Sequence, residues 1–307
     1  MIKKIFCVAL LSCCTDALIA QGCSDAGVCT IGDFYAHQIA ATKKALPKNE
    51  IDLSFTYGTH GQYEKFYQPQ LNYRRIQKNG SFFEFRLPLS VAMNTSLNVT
   101  ESGIGDLTAT YNNKFNLKKE QVLKYSVGLR ISFSSADRKA ANSMYSYPMS
   151  LQTGLGTTDL LAAASYDIGK YISVGTGLQV PVIQYNKNVI VIDYLSNPII
   201  TANDYHRNPD ALLKLTGHYQ WKKLKVNGGA LAIFHLGNDH YNLSSGKYIL
   251  KGSSGTTLNW TIEPSYAISK KLMFGILYAE PFKTRTNIPD GLARSRIISP
   301  KVTYSFE

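Results

Sequence analysis

The sequence predicts an all-β chain: a closed, up-and-down antiparallel transmembrane β-barrel of about twelve strands (twelve to fourteen), preceded by a short N-terminal helical or plug segment. Three observations predict it. Apolar residues recur at every second position over spans of about eleven residues. The connections between these spans alternate between tight and long. The positions opposite the apolar ones carry many ionisable side chains. Composition agrees: of 307 residues 44% are hydrophobic and 11% aromatic, 20 of them Tyr, while only 18% are charged. That excludes disorder. Past the extreme N-terminus nothing approaches the roughly 20 unbroken apolar residues of a spanning helix.

Met1-Ile-Lys-Lys4 places two positive charges ahead of a short apolar core from Ile5 to Cys14, and Ala17-Leu-Ile-Ala20 ends on the small residue a signal peptidase requires. Residues 1–20 read as a secretory signal peptide. Leu10-Leu-Ser-Cys13 also looks like a lipoprotein box, though the signal before it is short for one. Cleavage after Ala20 leaves two cysteines, Cys23 and Cys29. In an oxidising compartment such a pair is most simply a small disulfide loop. A metal there would need more ligands, and Asp25 is the only candidate between the two. Phe34 to Leu46 reads as one or two helical turns ended by Pro47, so residues 21–49 form an N-terminal segment able to serve as a plug.

From Glu50 onward period two takes over, and residues 50–307 form the barrel. Phe83, Phe85, Leu87, Leu89, Val91 and Met93 alternate with Glu84, Arg86, Pro88, Ser90 and Ala92. Leu123 to Phe133 alternates likewise against Lys124, Ser126, Gly128, Arg130 and Ser132. Spans of this length match a tilted membrane-crossing strand of about 9–11 residues. The expected strands are 50–58, 68–77, 81–94, 105–117, 123–135, 157–168, 171–185, 210–221, 223–236, 257–268, 271–282 and 294–306. Tight turns join them near 77–81, 118–122, 168–171, 221–223 and 268–271. Longer loops are expected at 59–67, 95–104, 136–156, 186–209, 237–256 and 283–293. This alternation suits short periplasmic turns and long external loops. With both termini periplasmic it requires an even strand number.

The two faces give the orientation. Glu84, Arg86, Lys114, Lys124, Arg130, Lys214, His218 and Glu263 share the polar row, and a dry soluble core would pay heavily for so many ionisable groups. An aqueous lumen accommodates them, while the Leu, Phe, Val, Ile and Tyr row meets outer-membrane lipid. Tyr and Trp near strand ends suit the membrane interfaces. Pro69, Pro88, Pro181, Pro264 and Pro281 fall inside strands, where proline marks bulges or loosened pairing.

The chain ends Lys301-Val-Thr-Tyr-Ser-Phe306-Glu307, which resembles the aromatic-ended strand that outer-membrane barrels present to their assembly machinery. Gly103-Ile-Gly-Asp106 and Gly154-Leu-Gly-Thr-Thr-Asp159 look like strand entries of outer-membrane channels. Over residues 50–306 the chain resembles the FadL-like fatty-acid and phenol-pathway transporters. That resemblance implies uptake of small hydrophobic or aromatic molecules, with an N-terminal segment plugging the lumen.

Asp106, Asp159 and Asp210 each open a strand returning from an external loop. Odd spacing to Tyr111, Tyr166 and Tyr219 puts each carboxylate on the face opposite its tyrosine, which is the lumenal face if the tyrosine meets lipid. They can form an acidic rim above the basic Arg86, Lys114, Lys124, Arg130 and Lys214 and filter solutes, or bond the turn amides at the strand entries. Lys78, Lys118, Lys119, Lys170, Lys222, Lys223, Lys270 and Lys271 give every tight turn a lysine, a solvated rim rather than the single stripe of a nucleic-acid site. His60, His206 and His240 fall in loops near Asp193, Asp204 and Asp239 without metal-ligand spacing. Neither G-x-S-x-G nor H-E-x-x-H occurs, and His218 and His235 sit on the polar row, so no enzyme, metal or cofactor is expected. The expectation is a Gram-negative outer-membrane channel for passive or facilitated passage of small solutes. The alternative is a non-conducting barrel that binds partners, as an adhesin or structural protein, through its external loops.

Overall fold

The computed structural model describes residues 48–60, 62–118, 121–189, 205–243, 246–292 and 296–307. The expected export signal, the Cys23–Cys29 loop and all but the end of the plug segment lie outside the described residues. The strands are β1 (Asn49–His60), β2 (Glu64–Ile76), β3 (Phe82–Asn94), β4 (Val99–Ile104), β5 (Leu107–Lys118), β6 (Gln121–Ile131), β7 (Thr157–Ile168) and β8 (Ile172–Gln184). They continue with β9 (Tyr205–His206), β10 (Asp210–Trp221), β11 (Leu224–His235), β12 (His240–Leu243), β13 (Gly246–Ile249), β14 (Gly255–Ala267), β15 (Leu272–Lys283) and β16 (Arg296–Phe306).

Twelve of these make the wall, in the order β1-β2-β3-β5-β6-β7-β8-β10-β11-β14-β15-β16. Every neighbour is antiparallel, and β1 pairs with both β2 and β16, which closes the ring. Closure gives each of the twelve wall strands a partner on both sides, as spanning a bilayer with strands requires, while β4 pairs with β3 alone among the described residues. Two of the expected strands, 157–168 and 210–221, coincide with β7 and β10 end to end. The other ten differ by at most four residues at either end.

Some expected connections differ. The expected loop at 59–67 is mostly strand, because β1 and β2 remain paired as far as His60 and Glu64. The loop at 95–104 contains β4, which folds back along the outer half of β3 from Asn94↔Val99 to Leu89↔Ile104. The Asn94 side chain accepts hydrogen bonds from the amides of Ser96 and Leu97, and Asn98 takes a positive φ of 52°. Asparagine tolerates both roles, so the four-residue turn forms without glycine. Above the wall, β9, β12 and β13 build a second, three-stranded sheet inside the expected loops 186–209 and 237–256.

Two of the in-strand prolines mark bulges. The β7–β8 register slips opposite Pro181, and the β14–β15 register slips opposite Pro281. Period two survives on both sides of each slip. Leu53 is 58% exposed on the outside, whereas Glu84 and Arg130 on the inner row are 3% and 4% exposed. Exposed apolar side chains continue round the outer wall, among them Phe85, Val127, Leu160, Leu213 and Val302. The inner face is not uniformly polar. Leu161, Leu212, Leu231 and Ile233 cluster inside β7, β10 and β11. The intervening strand offers Gly177 opposite Leu212, which leaves room for the cluster to close over it.

Candidate functional site

Each lumenal ionisable group of the sequence pattern lies on the inner row, and most meet an opposite charge there. On β1 to β3, Arg74 lies 3.2 Å from Glu50, 2.7 Å from Asp52 and 2.8 Å from Glu84, and Glu84 also takes Arg86 at 2.6 Å. Lys124 of β6 lies 2.8 Å from Asp167 of β7. Asp167 accepts the Ser173 hydroxyl at 2.9 Å, Ser173 lies 2.7 Å from the His218 ring, and the other ring nitrogen lies 2.9 Å from Asn227. Lys301 reaches Glu263 at 2.6 Å. Lys114 and Lys214 are half-buried on the same inner rows of β5 and β10.

Asp106, Asp159 and Asp210 stand at the outer ends of β5, β7 and β10, and all three are engaged. Asp106 accepts Arg130 Nη2 at 2.7 Å and Nε at 2.9 Å, together with the Leu155 amide at 3.3 Å. Asp159 accepts the Gln179 side chain and is paired in register with Arg130. Asp210 accepts Arg207 and lies 2.6 Å from His235, whose other nitrogen is 2.8 Å from Asp239. These carboxylates are partnered by cations, amides and imidazole, not arrayed as a bare acidic ring. A low-dielectric interior makes such pairing the stable state of a charge.

The mouth itself is covered by two external loops. In a ring of twelve, the β6–β7 and β15–β16 connections are six strands apart and rise from opposite sides. They meet in the middle, where Ala136, Met149 and Leu155 from one loop bury Leu292 from the other. The backbones touch beside this cluster. Gly291 has φ 69°, and a Cβ there would stand 2.3 Å from the Ser150 nitrogen.

Asp290, the residue before Gly291, secures the crossing. It accepts two hydrogen bonds from Arg285 at 2.8 and 2.9 Å and one from Arg207 at 3.1 Å, with all three side chains 0–1% exposed. Arg285 also donates to the Ser253 carbonyl at 2.9 Å, tying the β11–β14 connection into the same knot. Burial opposes ionisation of Asp290, but Arg285 and Arg207 outweigh it and hold the carboxyl well below the usual carboxylate range. Burial beside Asp239, which accepts its hydroxyl at 3.0 Å, holds the Tyr205 phenol well above its ordinary value.

Arg207, Arg285 and Asp290 have no periodic signature, and sequence reasoning did not single them out. The one local sign was Pro289-Asp-Gly291, a turn sequence with a mechanism. Nothing in it reveals which arginines the turn would meet. Beneath the crossing loops lies a partly open cavity, between Gln68, Arg86, Ser90 and Thr108 on the wall and Thr153, Leu155 and Leu292 on the loops. Among the described residues no group of three or more His, Cys, Asp or Glu side chains is placed to hold a metal ion.

A closed antiparallel wall with an apolar exterior and a charge-bearing interior defines a transmembrane β-barrel of the outer-membrane type. Comparison with one solved structure agrees in fold. An outer-membrane channel from Pseudomonas putida F1 superposes with a TM-score of 0.58 at 14% identity, covering 87% of this chain and 98% of that one. The NanC porin gives a TM-score of 0.45 at 13% identity, over 84% of this chain and 99% of that one. The Ralstonia pickettii toluene transporter TbuX gives 0.42 at 9% identity, over 86% and 90%. No protein-family profile and no curated sequence matches the chain.

Proposed function

We propose that this protein is an outer-membrane channel through which small solutes pass, with no chemistry at the wall. One observation carries the reading: the ionisable side chains line the inside of a closed ring whose outside is Leu, Phe, Val, Ile and Tyr. A soluble barrel has the reverse arrangement. In this reading residues 1–20 direct export, outer-membrane lipid surrounds the apolar rows, and β16 with Tyr304 and Phe306 is the strand the assembly machinery engages. Cargo follows from the bore. The FadL-like resemblance implies small hydrophobic or aromatic solutes, whereas the inner rows offer paired charges, amides and hydroxyls.

A second reading has its own support. The two loops that meet over the mouth suit a barrel whose external surface binds partners and whose bore does not conduct. Planar-bilayer recordings of the purified protein, with and without residues 21–49, separate the two. Stepwise conductance supports the channel. Folded protein that inserts yet gives no current in either form refutes it in favour of the binding role.

A further inference from the structure

We propose that the cavity beneath the crossing loops is a binding site for a small, uncharged, hydroxyl-bearing solute of the sugar or polyol class. The inference rests on the channel reading and names what that channel holds on its way through.

The charges around the cavity are spent on one another. Arg130 is held by Asp106 at 2.7 Å, Arg86 by Glu84 at 2.6 Å and Asp290 by Arg285 at 2.8 Å. An anionic or cationic solute would have to break such a pair and leave its partner buried, a costly exchange. A neutral solute needs no such exchange.

The rest of the lining is neutral and polar on one side, apolar on the other. Gln68, Ser90, Thr108 and Thr153 bring amide and hydroxyl groups, which donate and accept and so match a solute with several hydroxyls. Met149, Leu155 and Leu292 supply an aliphatic flank for the C–H faces of such a molecule. Among the described residues the lining includes no Phe, Tyr, Trp or His. A flat aromatic solute would find no ring to stack on. The position is also that of a binding site. Wall residues from β2, β3 and β5 form one side and both crossing loops form the other, so a solute there is enclosed by groups that meet only when the loops are together.

The test uses the full chain in detergent and in planar bilayers, with D-xylose, D-gluconate and phenol as neutral, anionic and aromatic probes. Saturation-transfer NMR reads binding without needing conduction, and blockade of the ion current reads occupancy of the conducting path. Xylose is expected to show saturation transfer and to block current, with gluconate and phenol far weaker. Thr108→Val with Thr153→Val, which removes two hydroxyls at nearly constant shape, is expected to raise the half-effective xylose concentration about tenfold. Ser90→Ala is the second variant, expected to raise it several-fold; the heat-modifiable shift on a gel confirms folding of each. A conducting protein that ignores xylose, or prefers gluconate or phenol, overturns the proposal and leaves the channel intact. Saturation transfer from xylose in a protein that never conducts keeps the site and removes the channel. Unchanged xylose response in both folded variants places binding elsewhere and overturns the proposal.

Discussion

Replacing Asp290 by alanine is expected to unlatch the crossing loops without unfolding the barrel. The carboxylate takes two hydrogen bonds from Arg285 and one from Arg207, all in the dry interior of the knot. After the substitution Arg207 keeps Asp210, while the one other side-chain bond the structure gives Arg285 is to the Ser253 carbonyl. Removing one partner of a buried pair costs about 3–5 kcal/mol, chiefly because it strands the other charge. Burial of Leu292 against Ala136, Met149 and Leu155 opposes release by about 1.5–3 kcal/mol. The electrostatic loss exceeds the apolar gain, so the loops should separate for a substantial fraction of the time. Trypsin cleavage after Arg285 in reconstituted protein reads this directly, since Arg285 is 1% exposed when the latch is closed. Cleavage of the alanine variant should be faster by at least tenfold, with the barrel's heat-modifiable band unchanged. Equal cleavage rates in folded protein would show that the ion pairs do not hold the crossing, and the argument from stranded charge would fail.

Three further outcomes follow. Gly291→Ala is expected to give the same enhanced cleavage, because alanine is strained at φ 69° and its methyl would sit 2.3 Å from the Ser150 nitrogen; wild-type protection in this variant would mean the loop contact is loose. Burial, then the charges of Lys247 and His206, holds the His240 imidazole below its ordinary value, and its ring stacks on His206 at 5.0 Å. A depressed histidine favours the folded sheet while neutral, so the β9–β12–β13 sheet should lose stability as pH falls through about 6.5 and below. Hydrogen exchange across Tyr241 and Tyr248 measures it, and equal protection at pH 8 and pH 5 would contradict the assignment. Val127→Arg on the middle of β6, where the side chain is 48% exposed, should weaken insertion by about 2–4 kcal/mol relative to Val127→Leu if that face meets lipid. Urea titration in vesicles reads the difference, and its absence would place that face in water.

The wall was legible because period two is local. Each strand carries its own alternation, and Phe83 to Met93 would show the same faces whichever strands lay beside it. Ring order was legible for a related reason: antiparallel neighbours joined by tight turns leave few topologies open. The mouth was not legible. Asp290 pairs with Arg207 across 83 residues, and Leu292 reaches Ala136 and Met149 across more than 140. Such contacts depend on how far two loops lean over the barrel axis, which no window of sequence encodes. The partners of Asp106 and Asp210 fall between these cases. Parity put the carboxylates on the inner row, but only the strand register sets Arg130 beside Asp106, and only the folded loop brings Arg207 to Asp210.

The location of the ionic contacts divides the labour of the molecule. Pairs such as Arg74 with Glu50, Asp52 and Glu84 join strands already tied by backbone hydrogen bonds, so they set the field inside the bore more than they hold the wall together. The Asp290 knot joins segments with no ladder between them, and there the ion pairs and the Leu292 contact are the principal ties the structure shows. Loss of an ion pair therefore acts on the mouth more than it does on the wall. Because Asp290 ionises well below the usual carboxylate range, its contribution is present above about pH 3.9 and fades only as pH falls through the depressed value. Mild acid should leave the crossing closed, and a solute reaching the cavity at neutral pH must be admitted by motion of the loops and not by titration of their latch.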